Sequence, residues 1–313
     1  MKLLISLLFC FSLVFSQTLR PTQTYLASGG VTDLVLKDKL LYISTKASLI
    51  DIFNIETSEL VNSIRIPQIT DFIGDVIDSK IYSVDVINEK VLLVSQGEKG
   101  FRSIYEYKNG KLTPVITISK KMYIAKAKYI NEDLIILGLL SNQIFLYDLK
   151  QKKFIWEVQA SQSKFSNFVL NEEKTKVIIA DESGALKQLK IKDGKVSKIY
   201  SGLNVDNVFQ VDTKNGVVIT AGQDRRCAIY SKYNKYYKKA DFLIYSVGLS
   251  PSGKLAGFAN NEDNDITIFK TKTKEEIYNL KGHKMTLTNI LFKNEQELYS
   301  SSDDNEVYYW KLK

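Results

Sequence analysis

Asn131-Glu132-Asp133-Leu134-Ile135-Ile136-Leu137, continuing to Ile144-Phe145-Leu146-Tyr147, holds the repeating unit of this chain in miniature. A polar turn opens it, an apolar run follows, and a second apolar strand closes on an aromatic residue. Turn chemistry between two β-rich runs reads as a hairpin. In the second strand Ile144 and Leu146 share one face and Tyr147 takes the other, because side chains two apart in a strand point the same way. Apolar residues on both faces describe a strand sandwiched between layers.

Working outward, the closing residue recurs as Phe53, Tyr105, Tyr147, Leu189, Tyr230, Phe269 and Trp310, at intervals of 52, 42, 42, 41, 39 and 41 residues. The turn recurs in the same register at Lys37-Asp38, Asn88-Glu89, Asn131-Glu132, Asn171-Glu172, Asn215-Gly216, Pro251-Ser252-Gly253 and Asn294-Glu295. The pairs Ile50/Ile52, Ile266/Ile268, Val307/Tyr309 and Cys227/Ile229 keep the alternation. Arg102 and Gln188 break it, so the second and fourth units are the least regular. A period of about 40–45 residues with four short strands per unit marks a β-propeller blade. The chain therefore reads as all-β, a seven-bladed β-propeller. It stops just past the third strand of the last unit, and Tyr25-Leu26-Ala27-Ser28-Gly29-Gly30 parallels Tyr278-Asn279-Leu280-Lys281-Gly282-His283. An N-terminal strand is thus predicted to pair into the last blade as its outer strand, which removes exposed edges.

Gly282-His283, then Ser300-Ser301-Ser302-Asp303-Asp304, then Trp310-Lys311 resembles a unit of the WD-repeat family, with Lys311 in place of the usual Asp. The resemblance implies a structural hydrogen-bond network of His283, Ser300, Asp304 and Trp310 in the last blade. The turn Asp recurs as Asp224 and Asp263, while Ala47, Lys99, Ser141 and Ser183 stand there in four other units. The dipeptide persists only as Tyr147-Asp148, Tyr105-Glu106 and Phe53-Asn54. Within that family the chain is similar to the accessory proteins encoded with the periplasmic nitrate reductase of epsilonproteobacteria. That similarity implies a periplasmic role in nitrate respiration, components of the reductase system as partners, no cofactor and no catalytic residues.

Met1-Lys2 followed by the apolar run Leu3–Phe15 reads as a secretory signal at 1–16, cleaved after Ser16 and too short to span a membrane. Residues 17–313 then form one domain, with no Pro-, Gly- or Ser-rich linker. Cys227 is the one cysteine left, on a core position of its strand, and the chain has no Asn-x-Ser/Thr acceptor. Both features favour the bacterial periplasm over an animal or fungal extracellular space.

Catalytic chemistry has little to stand on. His283 is the only histidine, so a Ser–His nucleophile or a Cys/His zinc site would compete with its structural duty. The densest acidic spots, Asp263/Asp265 and Asp303/Asp304, fall on turns, where Asp supports backbone geometry. Net charge is +8, and five of the 43 basic residues are Arg, which suits a solvated lysine surface better than nucleic-acid binding. The Tyr230–Lys239 stretch comes nearest to a binding pattern and reads as an outer strand with Lys and Tyr facing solvent.

Candidate contacts for a protein partner lie on the loops that share a face with His283 and Asp304: Lys99, Asn142, Asn264 and the pair Arg225-Arg226, expected to have no packing duty on its turn. The long first interval implies an insertion within Ile66–Lys80, and Phe72 makes it a candidate docking loop. The reading is a monomeric, non-catalytic, metal-free interaction scaffold. The alternatives are a lactonase-type propeller hydrolase and an envelope module that handles outer-membrane proteins during their folding.

Overall fold

The computed structural model describes residues 16–313; the signal sequence expected at 1–16 lies outside them except for Ser16. Seven antiparallel sheets follow one another along the chain and surround a common axis. The first five blades occupy Val31–Arg65, Ile81–Ile116, Ile124–Gln159, Phe165–Tyr200 and Val208–Lys239. The sixth spans Val247–Leu280 and the seventh Leu287–Lys311. In each blade the first strand is innermost, and every inner strand packs against those of both neighbouring blades, closing the ring.

The repeating aromatic or leucine lies in the third strand, at or next to its end in every blade but the second, and packs between sheets. Tyr147 belongs to the core shared by blades two and three, and Trp310 to the one joining blades five, six and seven. In five blades the register against the outer strand shifts at this residue, a bulge beside Phe53, Tyr105, Tyr147, Leu189 and Phe269. A bulge sharpens local twist, which lets a large side chain turn into the gap between blades. Cys227 is fully buried there, and burial pushes its thiol pKa up.

Ring closure matches the sequence expectation and exceeds it. Gln23–Leu26 pairs antiparallel with the last strand, Tyr25 opposite Val307. Tyr25 is buried and meets Phe53 edge-on at 5.4 Å, joining the seventh blade to the first. A second N-terminal strand, Gln17–Leu19, runs parallel to Tyr278–Leu280 and gives the sixth blade a fifth strand. Nothing in the period signalled it.

The insertion after the first blade is a small hairpin, Ile69–Thr70 against Val76–Ile77. Its base is clamped: Ser79 donates from its backbone to Ser48 Oγ at 2.6 Å and from its hydroxyl to the Pro67 carbonyl at 2.7 Å. Among the described residues no helix is long and apolar enough to cross a membrane.

Candidate functional site

Turns between second and third strands, and the connections between blades, gather at one end of the ring. This loop face carries Phe72, Lys99, Asn142, Arg225, Arg226 and Asn264, together with His283 and Asp304, while Ser300 and Trp310 lie within the strands of the seventh blade. A left-handed residue recurs in those turns: Ser48, Lys99, Asn142, Gly184, Arg225 and Asn264 all have positive φ, near +60° or +80°. Gly and Asn adopt that conformation readily, whereas other side chains meet a cost of about 1 kcal/mol. Turn geometry alone explains Asn142 and Asn264. It does not explain Lys99 and Arg225, both exposed.

Two nominated residues are committed elsewhere. Asn142 is fully buried, its amide nitrogen donating to Asp181 at 2.9 Å and to the Ser163 carbonyl at 3.0 Å, so a docking protein does not reach it. Arg226, expected to be free of packing duty, donates to the Leu203 carbonyl at 2.9 Å and lies over the Tyr237 ring at 4.6 Å. It ties the fifth blade to the segment that leads into it from the fourth. Asn264 is half-buried and donates to the Glu262 carbonyl at 3.3 Å within its turn.

Phe72 stands apart from all of these. It is 98% exposed at the hairpin tip, with Ile73 and Val76 each 68% exposed beside it. Asp71 Oδ1 accepts the Ile73 and Asp75 amides, both at 2.9 Å, so the tip is held in shape although nothing covers it. Phe72 and Lys99 come from adjoining segments of blades one and two. Arg225 and Asn264, in blades five and six, lie on another arc of the ring.

His283, Ser300, Asp304 and Trp310 are joined in one directed chain. Trp310 Nε1 donates to Ser300 Oγ at 2.7 Å, and Ser300 meets His283 Nε2 at 2.6 Å. On its other side His283 Nδ1 meets Ser302 Oγ at 2.9 Å, and Ser302 donates to Asp304 at 2.9 Å. Ser302 thus stands between His and Asp, a link the sequence did not single out. With Ser302 donating onward, His283 carries a proton on Nδ1. Burial pushes its pKa down to about 4, against a smaller upward pull from Asp304. The fifth blade builds the same bridge without histidine: Asn204 donates to Asp224 at 3.1 Å and accepts from Thr220 at 2.7 Å.

The centre of the ring holds a cluster that sequence reasoning missed. A cavity of about 600 Å³ is lined by inner-strand residues, among them Asp33, Asp85, Lys126, Lys128, Asn167 and Asp212. Several inner-strand side chains accept amide N–H groups from the exposed edge of the next blade. Asp33 takes Val84 at 3.1 Å, Asp85 takes Tyr129 at 2.7 Å and Ser83 takes Ala127 at 3.2 Å. Gln210 takes Val247 at 2.8 Å, and Asp212 takes Leu249 at 2.9 Å. Lys128 lies 3.3 Å from Asp33 and 4.0 Å from Asp85, and donates to the Val84 carbonyl at 2.6 Å. Burial disfavours its charge, but the two carboxylates outweigh that and raise its pKa. Among the described residues no group of three or more His, Cys, Asp or Glu is arranged to hold a metal ion.

The chain matches no family model and no curated protein.

Proposed function

We propose that this protein is a periplasmic, non-catalytic scaffold that docks a protein partner with the apolar tip of the Phe72 hairpin. The observation carrying this reading is a clamped loop that presents Phe72, Ile73 and Val76 to solvent with no cover. Single exposed apolar side chains are ordinary, but contiguous ones on a shaped protrusion mark an interaction site. Aromatic anchors of this kind dominate interface energetics. Arg225, held exposed in a left-handed conformation its side chain does not favour, supplies a second contact of the sort guanidinium groups make at interfaces.

Periplasmic location rests on the signal read at 1–16. The partner rests on the likeness to NapL, the accessory protein of periplasmic nitrate reductase, and a component of that system is the proposed ligand. The test is binding to the purified reductase and its maturation factors by biolayer interferometry. Phe72→Ser/Ile73→Ser is expected to weaken binding at least tenfold, and Arg225→Gly several-fold, with both variants melting like the parent. Full binding by the hairpin variant would remove the hairpin from the interface. No binding by the parent to any component would remove nitrate respiration from the reading.

A further inference from the structure

Several charges lining the central cavity are left without a counter-ion among the described residues, and Lys126 and Asp212 are two of opposite sign. Among the described residues Lys126 makes no ion pair: its ammonium donates only to Asn167 Oδ1, at 2.9 Å, and lies 5.5 Å from the Phe168 ring. Asp212 makes no ion pair either, its carboxylate accepting backbone amides of Leu249 and Thr213. By contrast Asp33 and Asp85 are engaged by Lys128. Lys126 and Asp212 line the same cavity, of about 600 Å³. They come from blades three and five, too far apart for a salt bridge, yet near enough that the Asp212 carboxylate acts on the Lys126 charge.

Lys126 is half-buried, and an ammonium partly withdrawn from water keeps its charge only if something offsets the lost hydration. Here burial, then the neighbouring Lys128, push the Lys126 pKa down to about 8, against upward pulls from Asp33, Asp212 and Asp85. These charges, with the neutral Asn167 and Phe168, are the groups that face it. An occupant with a carboxylate at the lysine and an ammonium at the aspartate would neutralise both. Beside Lys126 an anion alone would meet the pull of Asp33, Asp85 and Asp212, and a cation alone would meet Lys126 and Lys128; Glu172, Lys174, Lys214 and Lys293 also line the cavity.

We infer that the central channel binds a small amino acid, its carboxylate on Lys126 and its amine on Asp212. Val169, Leu249 and Ile290 also line the cavity. Cavities of a few hundred Å³ with a few convergent polar groups are the usual form of small-ligand sites.

The experiment is isothermal titration of the purified protein with the α-amino acids, β-alanine and 4-aminobutanoate, and with acetate and ethylamine as half-ligands. Saturable binding of at least one amino acid is expected, at least tenfold tighter than either half-ligand. Lys126→Met and Asp212→Asn should each weaken it at least tenfold. Affinity should fall as pH rises through about 8, where Lys126 discharges, and Lys126→Arg should carry binding to higher pH. Binding of acetate as tight as that of the amino acid would overturn the inference, as would failure of every amino acid to bind. Because Asp212 also caps Leu249, the Asp212→Asn melt is recorded; an unchanged melt with unchanged affinity likewise counts against the site.

Discussion

His283 shows how much one side chain's protonation state is worth to this fold. Its native pKa is pushed down to about 4 from an ordinary 6.5. Between those values the unfolded chain takes up a proton that the native network refuses. Stability contributed by His283 is therefore complete above about pH 6.5 and is lost as pH falls toward 4, on the order of 3 kcal/mol. The fifth blade suggests the control, since Asn204 fills the equivalent bridge with an amide that does not titrate. His283→Asn should shrink the stability difference between pH 7 and pH 4.5, measured by urea melts. Equal losses in both chains would mean that other groups govern the acid limb. The four joined residues were legible because their pattern is local to one unit. Ser302 was not, because three successive serines offer no means of telling which one faces the ring nitrogen. Asn142 was misread for a related reason: a polar residue on a turn looks exposed until its partner Asp181, in the next blade, is known.

Two short strands at the start of the described chain do unequal work. Tyr25 buries an aromatic ring between the seventh and first blades, while Leu19 covers the edge of the sixth. Tyr25→Ala should cost about 3–5 kcal/mol and Leu19→Ala about 2–3 kcal/mol, from lost burial and the cavities left behind. Chemical denaturation measures both, and a Tyr25→Ala cost below about 1 kcal/mol would show the closing strand to be ornamental. The first strand escaped sequence reading because three residues, Gln17-Thr18-Leu19, carry too little pattern, and parallel pairing leaves no turn to announce it. The insertion hairpin was visible only as surplus length. Its base is held through Ser79 by Ser48, 31 residues away in sequence.

At the scale of the molecule, the ring is held by side chains that cross from one blade to the next. Amides of Val84, Ala127, Tyr129, Val247 and Leu249 lie on strand edges that border the channel, yet each has an acceptor from the preceding blade. Hydrogen–deuterium exchange should find these five amides protected like those inside a sheet. Exchange as fast as in the exposed turns would mean that the cross-blade bonds open freely. The seven-fold period gave away the ring, but not the charge at its centre. Ile124-Ala125-Lys126-Ala127-Lys128-Tyr129 alternates like any half-solvated strand, and its partner Asp33 is 95 residues from Lys128. Only closure turns that polar face inward. Closure has a further outcome. The segment Gln23–Leu26 must wait for Glu306–Lys311, some 280 residues later in the chain, as the Asn305–Ala27 contact across 278 residues records. Until they meet, both edges are open to the complementary segment of another molecule, so crowded refolding favours a reciprocal exchange of straps and a swapped dimer.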